Sequence, residues 1–261
     1  MPEHPAPPQN ARLAVLAALR EHDDLARDYA LKGGFVLRHV FGSPRPSSDL
    51  DLDRVGGRAG RDEIRSVCDR LDAALDRTAG PFGLERARLR VVRWSDRLPT
   101  AFADVAYRSE GGAEGTVEVQ VTACEPVPET VLARVDRVPV RVASFDVLVA
   151  DKLKVLLQQT GRHTVRYADV YDLWFALVEA PFVPDPGRVR EALVVALEPW
   201  PEHRPVTAAS FDRPAVRAFA EQGYRALRAE EPDLPFAPFD VVWGEVRAFV
   251  DALGLPGGGA G

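Results

Sequence analysis

The chain of 261 residues is 46% hydrophobic and 28% charged, the composition of a folded protein with room for one large or two smaller domains. Its formal net charge of −6 sets it apart from strongly basic nucleic-acid binders, and no apolar run approaches the roughly 20 residues of a membrane span. Two distant cysteines (Cys68 and Cys124) without a CxxC, five histidines without ligand spacing and a polar, Pro-rich N-terminus fit a reducing cytoplasm and argue against a structural zinc, a disulfide framework or a secretory signal.

Residues 10–30 carry a helical apolar stripe (Leu13, Leu16, Ala17, Leu19, Leu25), with Asn10 placed to cap it. Lys32-Gly33-Gly34 and the apolar run after it predict a tight turn into a short helix, which the Pro-rich stretch 42–46 ends. Residues 48–55 (SDLDLDRV) alternate acid and apolar side chains, as a strand with two distinct faces does. A Gly-rich turn leads to a helix near 61–78. Strands are expected at about 84–93, 101–108 and 115–124, with 109–115 as a hairpin connection. After Glu125-Pro126 the character changes. A short strand near 138–142 leads to Ser144 as a helix cap, then to helices at about 145–159, 166–179, 186–198, 212–230 and 238–253, punctuated by proline clusters. The expected division is an α/β lobe over 1–128, a helical lobe over 129–255 and a disordered tail over 256–261.

Chemistry enters at Asp49-x-Asp51, with Asp53 continuing the alternation. Residues i and i+2 of a strand share a face, so two carboxylates lie close enough to share a divalent ion that relieves their repulsion. Mg²⁺ prefers one or two carboxylates plus substrate phosphates and water, and such a site activates a hydroxyl and clamps the phosphates of an NTP. Alone, an acidic pair equally describes a solvated edge strand. The flanks decide: Gly33-Gly34 at a helix start admits a phosphate to the backbone, and Arg45 and Ser47 stand just before the acids. Only three of the 33 basic residues are lysines (Lys32, Lys152, Lys154), so a lysine in these segments is informative.

The segment LKGGFVLRHVFGSPRPSSDLDLD resembles the AbiEii/AbiGii-type nucleotidyltransferase toxins, through Lys32, Gly33, Gly34, Arg45, Ser47, Asp49 and Asp51. A second segment, SFDVLVADKLKVLLQQTGRHTVRYADVYDLW, resembles the family's later motifs through Asp151, Lys152, Leu153, Arg162, Arg166, Asp169, Asp172 and Leu173. The resemblance implies a nucleotidyltransferase-fold α/β (α+β) lobe with a small mixed sheet and a mainly helical lobe that closes over the nucleotide. It implies Mg²⁺, with Mn²⁺ as the other candidate, held by Asp49 and Asp51. Ser47, Lys152, Asp169 and Asp172 are implied as further catalytic groups. Lys32, Gly33, Gly34, Arg45 and Arg166 are implied as nucleotide-binding residues. It implies NMP transfer from an NTP to RNA, the tRNA 3′ end above all, by the toxin of a toxin–antitoxin pair with a cognate antitoxin. The residues add a physical reading: Asp169 and Asp172, three apart, share a helical face with Arg166, and a lysine such as Lys152 pairs phosphates as a point charge. Leu173 and Trp174 are expected in the core.

The sequence departs from the superfamily at the third carboxylate. The aligned position on the strand TVEVQVTACEP is Gln120, and Glu118, two residues earlier on the same face, is the alternative. Arg86, Arg88 and Arg90, with Arg93 and Arg97 beyond, describe a cationic strand face for an RNA backbone, and Arg134, Arg137 and Arg141 a second cluster. A protein or small-molecule hydroxyl as acceptor, which the acidic net charge favours, and an inactive nucleotide-binding module, which Gln120 favours, are the competing readings.

Overall fold

The computed structural model describes residues 6–162 and 165–256, apart from the side chains of Cys124, Glu125 and Arg162. The side chain of the matched position Arg162 and residues 257–261 of the expected tail therefore lie outside what is described. The chain divides into two compact units. One comprises the described residues up to Val40 together with Pro46–Ala143, the other Phe41–Arg45 and the chain from Ser144 onward.

The first unit opens with α1 (Pro7–Arg20) and α2 (Asp23–Asp28), followed by β1 (Tyr29–Lys32). This corrects the single helix expected over 10–30. The N-cap is Ala6 rather than Asn10, with Pro7 in the first turn, where its missing N–H costs nothing. All four β1 residues are buried, a run too short to show a period in the sequence. Next come α3 (Gly33–His39), β2 (Leu50–Val55), α4 (Arg61–Thr78), β3 (Leu84–Trp94), β4 (Thr100–Ser109), β5 (Glu114–Val127), β6 (Thr130–Val135) and β7 (Val138–Ala143).

The seven strands form one mixed sheet in the order β3-β4-β5-β2-β1-β7-β6. β2 runs antiparallel to β1 and parallel to β5, and β7 runs parallel to β1. The sheet thus continues past the change of character at Glu125-Pro126, because β7 docks beside β1. One face is apolar: Leu31, Leu50, Leu52, Val119, Val121, Ala101 and Val105 are all buried. α1 and α4 pack on the sheet, α4 with Ile64, Val67, Leu71 and Leu75 buried on one side. Because side chains alternate along a strand, the acids of β2 fall on the opposite, polar face.

The second unit is helical: α5 (Phe145–Arg162), α6 (Asp169–Trp174) running on as a π-helical turn, α7 (Pro186–Ala196), α8 (Pro214–Glu230) and α9 (Phe239–Ala252). Ser144 caps α5 as expected, its hydroxyl accepting the Val147 N–H at 3.4 Å. The helix expected from 166 begins only at Asp169. The Arg166 N–H is turned to Gln159 Oε1 at 3.2 Å, and the Arg166 carbonyl lies where a Cβ on Gly223 of α8 would sit. Leu173 and Trp174 are core, as expected, and so are Leu153, Leu156 and Leu157. Among the described residues no helix is long and apolar enough to cross a membrane.

Candidate active site

The acids of the first unit are placed by register. Across β1 and β5, Asp51 is opposite Lys32 and Gln120, and Gln120 is in turn opposite Phe102 of β4. Directly opposed residues share a sheet face, so these side chains stand on the polar face together. Asp53, two residues on, is opposite Ala30 and Thr122.

Three carboxylates in alternation meet three different environments. Asp53 is 1% exposed and ion-paired to Lys32, itself 9% exposed, so the charges of the pair cancel inside the unit. Asp51 is half-buried, and its carboxylate Oδ2 occupies the place a Cβ on residue 33 would take. Gly33 is at φ +77°, so both its backbone and its missing side chain are what the carboxylate requires. Asp49 is exposed just ahead of β2, where Ser48 Oγ donates to its Oδ1 at 2.7 Å. Arg12 of α1 donates from Nε to the Ser48 carbonyl at 2.7 Å and so ties down the segment carrying Asp49. Burial pulls the Arg12 guanidinium below its ordinary pKa, and the charge of Asp49 works against that pull.

Sequence reasoning missed Arg12, Ser48 and the pairing of Lys32 with Asp53. Arg12 lies far outside any motif, and only the fold brings it to Ser48. Gln120 stands opposite Asp51, while Glu118 is exposed and opposite Asp104. Gln120 Nε2 donates to Thr122 Oγ1 at 3.3 Å. Among the described residues no group of three or more His, Cys, Asp and Glu is arranged to hold a metal. Two hard carboxylate oxygens two residues apart, one of them cradled by a glycine, fit the donor preference of Mg²⁺.

The second unit gathers the other predicted residues. Lys152 Nζ lies 2.7 Å from Asp169 Oδ1 and 2.7 Å from Asp172 Oδ2. Arg45 grips Asp172 with both arms of its guanidinium, Nε to Oδ1 at 2.7 Å and Nη2 to Oδ2 at 2.9 Å. Arg166 Nε reaches Asp169 Oδ2 at 3.3 Å from a largely exposed position. The five residues form one chain of alternating charge, Arg45–Asp172–Lys152–Asp169–Arg166. Burial would push Asp169 up, but Lys152 and Arg166 hold it below its ordinary value. Burial would likewise pull Lys152 down, but Asp169 and Asp172 hold it above. Both partners thus stay ionised. Asp172 is 0% exposed, Asp169 1% and Lys152 8%. Arg166 is the most exposed member of the network, with 57% of its side chain accessible against 13% for Arg45.

The arginine clusters are mostly engaged. Arg88 pairs with Asp76 of α4 at 2.8 Å. Arg137 donates to the Pro81 carbonyl at 2.6 Å and lies over Phe82, and Arg141 donates to Thr130. Arg93 lies over the Phe102 ring at 3.7 Å.

Solved structures share this fold. The chain resembles JHP933 from Helicobacter pylori with a TM-score of 0.52 at 16% identity, over 94% of this chain and 89% of that one. It resembles MenT4, a nucleotidyltransferase toxin from Mycobacterium tuberculosis, with a TM-score of 0.52 at 19% identity, over 94% and 92% of the two chains. At such identities the likeness concerns the fold. No curated protein sequence matches the chain. The model of one family, described as the nucleotidyl transferase AbiEii toxin of type IV toxin–antitoxin systems, matches residues 14–250. That span takes in the glycine cradle, the acidic strand and the buried charge network, and the chain belongs to the AbiEii family of nucleotidyltransferase toxins.

Proposed function

We propose that this nucleotidyltransferase moves an NMP from an NTP to the hydroxyl of an RNA 3′ end, tRNA foremost, as the toxin of a cytoplasmic toxin–antitoxin pair with a cognate antitoxin. The observation that carries the metal assignment is the Asp51 carboxylate seated in the Gly33 cradle with Asp49 exposed two residues away. Asp49 and Asp51 would hold Mg²⁺ or Mn²⁺. A divalent cation bound there would neutralise the two acids, hold phosphate oxygens and lower the pKa of the attacking hydroxyl.

The chain's own residues do the rest. Arg12 and Ser48 orient Asp49, and Gly33 admits Asp51. Lys32 cancels Asp53, so the site presents two negative charges rather than three. Gly34 leaves the entry to α3 without a side chain, and Ser47 adds a hydroxyl before the acids. On this reading Lys152, Asp169 and Asp172 act by positioning, which their burial supports: they hold the guanidinium groups of Arg45 and Arg166, which bind nucleotide phosphates. Gln120 contributes no charge opposite Asp51, so no third carboxylate takes part.

A protein hydroxyl as acceptor has one observation behind it, the acids Glu118 and Asp104 on the polar face. The experiment separates the two. Purified protein with Mg²⁺ is incubated with each α-labelled NTP in a mixture of total RNA and cell protein, with Asp49→Ala as control. Label in RNase-sensitive bands of tRNA size is expected. Label in protease-sensitive bands, absent with Asp49→Ala, moves the acceptor to protein.

A further inference from the structure

On the reading of the acceptor as RNA, we infer that the row Gln120–Phe102–Arg93 is the platform on which its 3′-terminal bases lie. The row is fixed by register. Asp51 is opposite Gln120, Gln120 opposite Phe102, and Phe102 opposite Arg93, so one straight line crosses β2, β5, β4 and β3 on the polar face. At about 4.8 Å per strand, Phe102 stands roughly 10 Å from the acid that holds the reaction centre. That is the distance at which the base of a terminal or adjacent nucleotide is met when its hydroxyl is at Asp51.

The chemistry along the row suits a single strand. Gln120 offers an amide, able to donate and accept at base edges. Phe102 is half-buried, and the Arg93 guanidinium lies on its ring at 3.7 Å with its own outer side exposed. A planar guanidinium backed by an aromatic ring is a stacking surface for a base and a cation for the neighbouring phosphate. The next row is different. There Glu118 is opposite Asp104, and Asp104 is opposite Arg90. Two acids in that row repel a phosphate backbone and leave the Arg93 row as the lane of neutral and cationic groups. Val92 bulges out of register just before Arg93, and this turns Arg93 rather than Val92 onto the polar face.

The test is steady-state transfer with the RNA and NTP concentrations varied separately, on Arg93→Ala, Arg93→Lys and Phe102→Leu. Arg27→Ala, an exposed residue of α2 outside the sheet, is the control. Base stacking predicts that Arg93→Ala and Phe102→Leu raise KM for RNA by about five- to a hundredfold, with KM for NTP within about twofold of wild type. Arg93→Lys, which keeps charge but not the stacking plane, should fall between. Unchanged KM for RNA in both variants, while wild type still labels RNA, overturns the platform and leaves the RNA reading standing. A parallel rise in both KM values, as a structural defect produces, overturns it too. Labelling of protein in place of RNA by wild type removes the RNA reading itself, and the platform with it.

Discussion

At the scale of single residues, the acidic strand carries three aspartates that alternation alone does not tell apart. Asp49, Asp51 and Asp53 alternate identically along the chain, yet one is exposed, one cradled and one buried against Lys32. Asp49→Ala is expected to abolish transfer while leaving thermal stability within about 0.5 kcal/mol of wild type, because an exposed side chain is removed. Retained transfer in that variant would sink the metal assignment. Gly33→Ala tests the cradle. An alanine there meets the Asp51 carboxylate and a φ of +77°, so a stability loss of about 1 kcal/mol or more is expected. A displacement of Asp51 by roughly 1 Å costs on the order of 10²-fold in rate. Wild-type kinetics in Gly33→Ala would show that Asp51 does not need that seat. The glycine pair was legible in the sequence; that it makes room for a carboxylate was not, because the carboxylate comes from another strand.

At the scale of elements, the helices α5 and α6 are joined by charge as much as by apolar packing. Lys152→Met leaves two buried carboxylates without their shared cation, and a destabilisation of about 3–5 kcal/mol is expected in urea unfolding. A loss below 1 kcal/mol would mean that Arg45 and Arg166 suffice to hold the pair. The network also sets a pH window. Asp169 has a folded pKa below its ordinary 3.8, so its contribution is present above that value and lost as pH falls through the folded pKa. Lys152 has a folded pKa above its ordinary 10.5, so its contribution is present below that value and lost as pH rises through the folded pKa. Stability measured against pH should therefore show a plateau from about 4 to 10 as far as this network governs it, and Lys152→Met should weaken both edges. A wild-type profile that declines steadily across neutral pH would contradict the assignment. The i,i+3 spacing of Arg166, Asp169 and Asp172 was readable from the sequence, and so was their common face. Their burial was not, since the same spacing describes a solvated ion-paired surface.

At the scale of the whole chain, membership of a toxin family and the proposed activity predict a cellular outcome. Expressed in a bacterial host, the wild-type chain should arrest growth, and Asp49→Ala should not. Growth arrest by both would separate toxicity from nucleotide transfer. The acidic net charge does not contradict an RNA acceptor, because the arginines that matter are few. Arg88, Arg137 and Arg141 are engaged within the first unit, and Arg93 is held over Phe102.

The sequence by itself determined the class of the protein, the acidic strand, the helix α4 to its ends, the strands β3 to β5 and most C-terminal helices. These are long or strongly patterned segments whose periodicity reflects one buried face. It also determined, through Lys32-Gly33-Gly34 and Asp49-x-Asp51, which chemistry to look for. Only the tertiary structure decided that a strand follows α2, that β6 and β7 extend the same sheet, and that Lys32 cancels Asp53. It alone placed Gln120 rather than Glu118 opposite Asp51, and Arg12 at Ser48. The physical reason is common to all of these: each depends on a partner supplied by a distant segment, and local propensity carries no record of which strand will lie alongside or which charge will be buried with which.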